Sequence, residues 1–98
     1  MSFCTAASAN LRDSSLDHAD FSQADLANAD LSGSSLVGAN LSGAALNDAD
    51  LSNSDWRDAR WQQIKSINTA NIAGLRNAPP GFVAWTQSHG AIQEPRAP

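Results

Sequence analysis

The stretch Ala24-Asp25-Leu26-Ala27-Asn28-Ala29-Asp30-Leu31-Ser32-Gly33 decides the fold. It contains two five-residue units in one order: a small residue, an aspartate, a leucine, a second small residue and a turn former. Steps of five outward from this pair reach Leu11, Leu16 and Phe21 on one side and Leu36, Leu41, Leu46, Leu51, Trp56 and Trp61 on the other. Two residues before each of these large side chains stands only Ala or Ser, from Ala9 to Ala59. Side chains two apart on an extended segment point the same way, so each unit carries one inward face built from a large and a small residue.

Two residues after each large position comes a corner: Asp13, His18, Gln23, Asn28, Gly33, Gly38, Gly43, Asp48, Asn53, Asp58 and Gln63. Most of these are Gly, Asn, Asp or His, the residues that best tolerate positive φ. A helix face needs spacings of three and four, and a flat strand alternates without corners. A chain that turns every five residues must therefore wind. Serine enters the small column only at Ser14, Ser34 and Ser54, twenty residues apart, which points to four units per coil.

These units resemble the pentapeptide-repeat family, with Ala24-Asp25-Leu26-Ala27-Asn28 and Ala39-Asn40-Leu41-Ser42-Gly43 as the clearest copies. The resemblance covers residues 7–63 and, more loosely, continues to Ile72. It implies an all-β solenoid: a right-handed, four-sided parallel β-helix of three to four coils, with the large residues inside. At strand spacing the regular coils make a body roughly 14 Å long. The run Asn77-Ala78-Pro79-Pro80-Gly81-Phe82-Val83-Ala84-Trp85 also looks like a tail found on some bacterial members.

The chain divides accordingly into a β-helix over 1–78, regular over 7–63 and irregular over 64–78, a capping helix within 79–92, and a mobile tail over 93–98. After Trp61 the phase slips to Ile64, Ile67 and Ile72, and Lys65 stands where a small residue is expected. Pro79-Pro80-Gly81 breaks the winding, and Phe82–His89 forms a helix that ends at Gly90. At the other end Cys4 falls in phase with Ala24 and reads as a small core residue. No cap precedes it, so the N-terminal edge is read as a docking edge or as a junction with a longer protein, in which the coils act as a spacer.

Composition limits function. Ninety-eight residues with 42% apolar content fit one domain. No targeting segment or apolar run long enough for a membrane span occurs, and one cysteine excludes an internal disulfide, so the expected location is the cytoplasm. Eight aspartates and no Lys or Arg lie between Asp13 and Asp55, and Arg57, Arg60, Lys65 and Arg76 follow. An acidic body argues against direct nucleic-acid binding, which needs a cationic face.

No nucleophile elbow, phosphate loop or calcium loop appears, and His18 and His89 have structural places, in a turn and at a helix end. The reading is no enzyme, no cofactor and no metal. Candidate partner-binding residues are Asp20, Asp25, Asp30, Asp50 and Asp55, as an acidic recognition stripe, with Arg57 and Arg60; the same aspartates also suit hydrogen bonds to their own turns. Phe82 and Trp85 are either cap residues or a homodimer surface at the end of the solenoid. Two functions stand beside a protein-interaction module with an unnamed protein partner: a spacer, and a DNA mimic acting on a type II topoisomerase. The last is implied by resemblance alone, and a 14 Å body would imitate only about four base pairs.

Overall fold

A computed structural model describes residues 7–93; Cys4, the first six residues of the proposed β-helix and the tail from residue 94 lie outside the described residues. The five-residue unit allows one bridging residue per side, because a corner follows within two residues. The sheet is accordingly a ladder of single parallel bridges rather than long strands. Four columns result: Asn10–Asp30–Asp50–Asn71–Ile92, Ser15–Ser35–Asp55–Arg76, Asp20–Asn40–Arg60 and Asp25–Ala45–Ser66. Along the first three coils each bridge joins residues twenty apart, and the chain is a parallel β-helix solenoid.

Backbone hydrogen bonds run along the axis. The N–H of a large residue donates to the carbonyl of the next coil's bridging residue, as in Leu31 N to Asp50 O at 2.8 Å. The bridging N–H returns the bond to the coil before, as in Asp50 N to Ala29 O at 2.9 Å. The corners are left-handed at each fifth position from Ser8 (φ 64) through Asp58 (φ 58). Gly33, Gly38 and Gly43 are needed for a second reason: the corner side chain of the coil before, Asp13, His18 or Gln23, lies over each of them where a Cβ would be.

Inside, Phe21, Leu26, Leu31, Leu36, Leu41, Leu46, Leu51 and Trp56 are fully enclosed, with the alanine column beside them. Leu11 and Leu16, in the first coil, and Trp61, under the cap, are only half-buried and pack against that core. Full burial needs cover on both sides, which Ile67 and Ile72 in the last coil also have. The serines of the small column satisfy their own hydroxyls: Ser34 Oγ donates to Leu31 O (2.6 Å) and Ser54 Oγ to Leu51 O (2.5 Å). Ser54 Oγ also accepts the indole N–H of the buried Trp56 at 2.8 Å.

One residue changes the register. The bridge Asn40↔Arg60 spans twenty residues, and the next, Ala45↔Ser66, spans twenty-one, as do those that follow. Ile64 N donates to Trp61 O at 3.1 Å, the bond that Ala59 makes to Trp56, so Ile64 fills the small-residue slot. Lys65 is then the extra residue of a bulge: its N–H donates to Ala44 O at 2.9 Å, the bond Arg60 makes to Ala39, while Ser66 O accepts the N–H of Leu46, so two residues oppose Ala45. Gln63 consequently lacks the left-handed corner expected of it; left-handed residues resume at Thr69 (φ 59) and Gly74 (φ 67).

Helix α1 (Phe82–Ser88) closes the C-terminal end. Gly81 precedes it at φ 83, and it stops where Gly90 N reaches Gln87 O (3.3 Å) and Ala91 N reaches Thr86 O (2.9 Å). These two bonds across a left-handed glycine form a Schellman-type end. The chain then rejoins the ladder, with Ile72 N donating to Ile92 O and Ile92 N to Ala70 O, both at 2.8 Å.

Candidate interaction surface

The aspartates before the large residues are tied to their own turns. Oδ1 of Asp20, Asp25, Asp30, Asp50 and Asp55 accepts the backbone N–H two residues ahead, at 2.9 to 3.1 Å. In Asp20, Asp30 and Asp50 the same oxygen also accepts the hydroxyl of Ser22, Ser32 or Ser52 at 2.6 Å. Asn10, Asn40 and Asn71 make the equivalent backbone bond. The recurring Asp or Asn is therefore an Asx turn that satisfies a corner amide.

These bonds shift two carboxyls. The Ser22 hydroxyl, with the Ser22 N–H, holds Asp20 below the usual carboxylate range. The Arg57 N–H does the same for Asp55; partial burial opposes it, and the Asn77 amide and the charges of Arg76 and Arg57 add to it. Asn77 Nδ2 donates to Asp55 Oδ1 at 3.2 Å.

The five aspartates do not form one stripe. Asp30 and Asp50 share a column, whereas Asp20, Asp25 and Asp55 stand in three others. Four-unit winding sends neighbouring units to different sides, so residues five apart in sequence cannot line one face. The acidity is a coat around the body. Arg57 and Arg60 are exposed at its C-terminal end. Arg57 Nε lies 3.8 Å from Asp58 Oδ2 with both side chains largely in solvent, a pair of little energetic weight. Arg60 continues the column of Asp20 and Asn40.

Phe82 and Trp85 are placed differently. Phe82 is fully buried and stacks on Trp56 with ring centroids 4.5 Å apart and planes at 22°, while Trp61 tilts against it at 5.4 Å. Trp85 is half-buried and stacks on His89 at 4.4 Å. The Nδ1–H of His89 donates to Trp85 O at 2.8 Å, which holds the imidazole against the indole. Phe82 thus belongs to the core, and Trp85 offers one side to solvent.

Two open clefts lie on the side of the Asp25–Ala45–Ser66 column, and both are lined by Lys65 and Ser66. One, of about 460 Å³, runs between the last coil and α1, with Ile64, Ile67, Trp85 and His89 among its walls. The other, of about 410 Å³, extends past Asp25, Gly43 and Asn47. The periodic sequence conceals this feature, because it arises where the period fails. Ile64 in the alanine slot, five residues after Ala59, was the one signal for it.

Among the described residues every ionisable side chain is exposed or half-buried. No group of three or more His, Cys, Asp or Glu there could hold a metal ion. No helix among them is long and apolar enough to cross a membrane.

Residues 7–43 match the family model "Pentapeptide repeats" in eight copies. No curated protein matches the chain. Similar solved structures include a pentapeptide repeat protein from the Arabidopsis thaliana thylakoid lumen, 27% identical over 71% of this chain and 51% of that one, with a TM-score of 0.49. Another is HetL, a pentapeptide repeat protein involved in heterocyst differentiation regulation from the cyanobacterium Nostoc sp. strain PCC 7120. It is 24% identical over 96% of this chain and 44% of that one, with a TM-score of 0.46. The chain spans about half the length of these structures.

Proposed function

Since this chain is a pentapeptide-repeat protein, we propose that it is a non-enzymatic protein-interaction module: a right-handed, four-sided β-helix of three to four coils, capped by α1, that offers its polar sides to a protein partner. Proteins of this family are generally structural or interaction modules. The observation that carries the reading is the division of labour among side chains. Buried positions hold apolar residues, serines and one threonine, all spent on packing and on the ladder, while every described ionisable group stands at the surface. General acid–base work in a water-excluded site needs titratable groups with restricted solvent access. Charge displayed on a stiff frame suits recognition instead, because little ordering entropy is lost on binding.

The test is crosslinking of the full chain in lysate of its source cells, followed by mass measurement of the purified complex. Enrichment of a defined protein at fixed stoichiometry supports the reading. A strictly monomeric protein that enriches nothing above a control solenoid contradicts it.

A further inference from the structure

We propose that the cleft between the last coil and α1 binds a short acidic–apolar peptide segment of a protein partner, its carboxylate on Lys65 and its neighbouring apolar side chain against the indole of Trp85. This rests on the interaction-module reading and names the site and the chemistry of what it takes.

Three observations converge on this place. The first is the bulge. Eleven units repeat without insertion, from Leu11 to Trp61, and the one extra residue in the ladder is Lys65. Lys65 keeps its own ladder bond, N–H to Ala44 O at 2.9 Å, but shares the place opposite Ala45 with Ser66. Such a two-against-one site bends the chain and re-aims a side chain, and bulges concentrate beside functional sites. Local rules that hold everywhere else and fail once mark such sites.

The second is charge. Lys65 is the chain's single lysine, in a protein of net charge −4. It is exposed and has no ion pair among the described residues, although aspartates surround the body. The described residues that line the cleft include no carboxylate. An anion is therefore favoured here and disfavoured over most of the remaining surface.

The third is the wall. Ile64 and Ile67, 6% and 1% exposed, lie beneath the cleft and leave Trp85 as its main apolar surface. The indole of Trp85, braced by His89 at 4.4 Å, forms a rigid aromatic side. Ser66 and Asn68 add polar groups at the rim. A volume of about 460 Å³ accommodates one or two residues of a peptide rather than a folded domain. A cation beside an indole face in an otherwise polar cleft is complementary to a carboxylate followed by an apolar side chain, such as Asp-Leu.

Isotope-labelled full-length protein is titrated with the capped peptide Ac-Asp-Leu-NH2 and with its neutral counterpart Ac-Asn-Leu-NH2, each to millimolar concentration. Backbone amide and indole shifts are followed in the free protein, in Lys65→Gln and in Lys65→Arg. The expected result is a saturable shift confined to residues 64–68, the Trp85 indole and His89. Exchange of Asp for Asn in the peptide, or Lys65→Gln, should weaken binding at least about threefold, and Lys65→Arg should keep it, as expected for a partly exposed ion pair. Lys65 is exposed, so unchanged spectra elsewhere certify the fold of the variants. Equal shifts from both peptides, shifts unaffected by Lys65→Gln, shifts outside the cleft, or none overturn the proposal. The crosslinking test counts partners on any side of the solenoid, so failure here and failure of the module reading are separate results.

Discussion

Replacing Phe82 with alanine should detach the cap. Phe82 is the only fully buried aromatic of α1, and its ring is shared among Trp56 at 4.5 Å, Trp61 at 5.4 Å and Trp85 at 6.5 Å. Truncation of a buried phenylalanine costs about 3–5 kcal/mol, and lost aromatic stacking lies at the upper end of that range. Small domains have about 5–15 kcal/mol in total, so this one change removes a large share. The effect is also local. All three tryptophans, Trp56, Trp61 and Trp85, stand at the C-terminal end, so their fluorescence reports the cap while far-UV circular dichroism reports the coils. In urea, Phe82→Ala should lower the fluorescence midpoint by an amount worth about 3–5 kcal/mol and red-shift the native emission, as Trp56 becomes wet. Phe82→Leu, which keeps much of the volume, should cost less than about 2 kcal/mol. A Phe82→Ala protein with unchanged emission and a loss under about 1 kcal/mol would refute the packing described for α1.

Other perturbations separate the roles of the repeat positions. Ser54→Ala strands the buried Trp56 N–H and should cost about 1–3 kcal/mol in urea melts, whereas Ser34→Ala, whose hydroxyl bonds only Leu31 O, should cost less than about 1 kcal/mol. Gly38→Ala forces alanine to φ +69 and sets its Cβ 2.5 Å from His18 Nδ1; thermal melts should show a loss of about 1 kcal/mol or more, which His18→Ala relieves only in part because the φ strain stays. Asp20 and Asp55 have lowered folded-state pKa values, so their contribution to stability is complete above the ordinary value of 3.8 and is lost as pH falls through the folded values. Melting temperature should therefore fall with acid below about pH 4, and Asp20→Asn with Asp55→Asn should flatten that limb.

Sequence periodicity made the coil legible because each unit obeys the same local physics. One large residue fills the interior, one small residue lets the next side approach, and a corner follows, so Leu26 and Leu31 announce Leu46 and Leu51. Burial at the ends was less legible: Leu11 and Trp61 have the same type and phase as enclosed residues, but enclosure depends on what covers them. The spacing of Asp20, Asp25 and Asp30 suggested a stripe, and winding distributed them over three columns. Their bonds to Ser22, Ala27 and Ser32 amides could be inferred from residue type, since aspartate before a turn has that option anywhere. The cleft at Lys65 was hidden for a different reason. A slip of phase shows in sequence as disorder of the pattern, and only the ladder reveals that one residue is extra and that Ile64 keeps the old register.

That register change is the point at which the regular scaffold becomes a specific surface, and proton contacts between neighbouring coils measure it directly. Solution spectra should show backbone contacts between Asp30 and Asp50 and between Asn40 and Arg60, twenty apart, then between Ala45 and Ser66 and between Asp50 and Asn71, twenty-one apart. Couplings across hydrogen bonds should pair Leu46 N with Ser66 O and Leu51 N with Asn71 O. Pairing of Leu46 N with Lys65 O and of Leu51 N with Ala70 O, which would continue the step of Leu41 N to Arg60 O, would contradict the bulge and the cleft built on it.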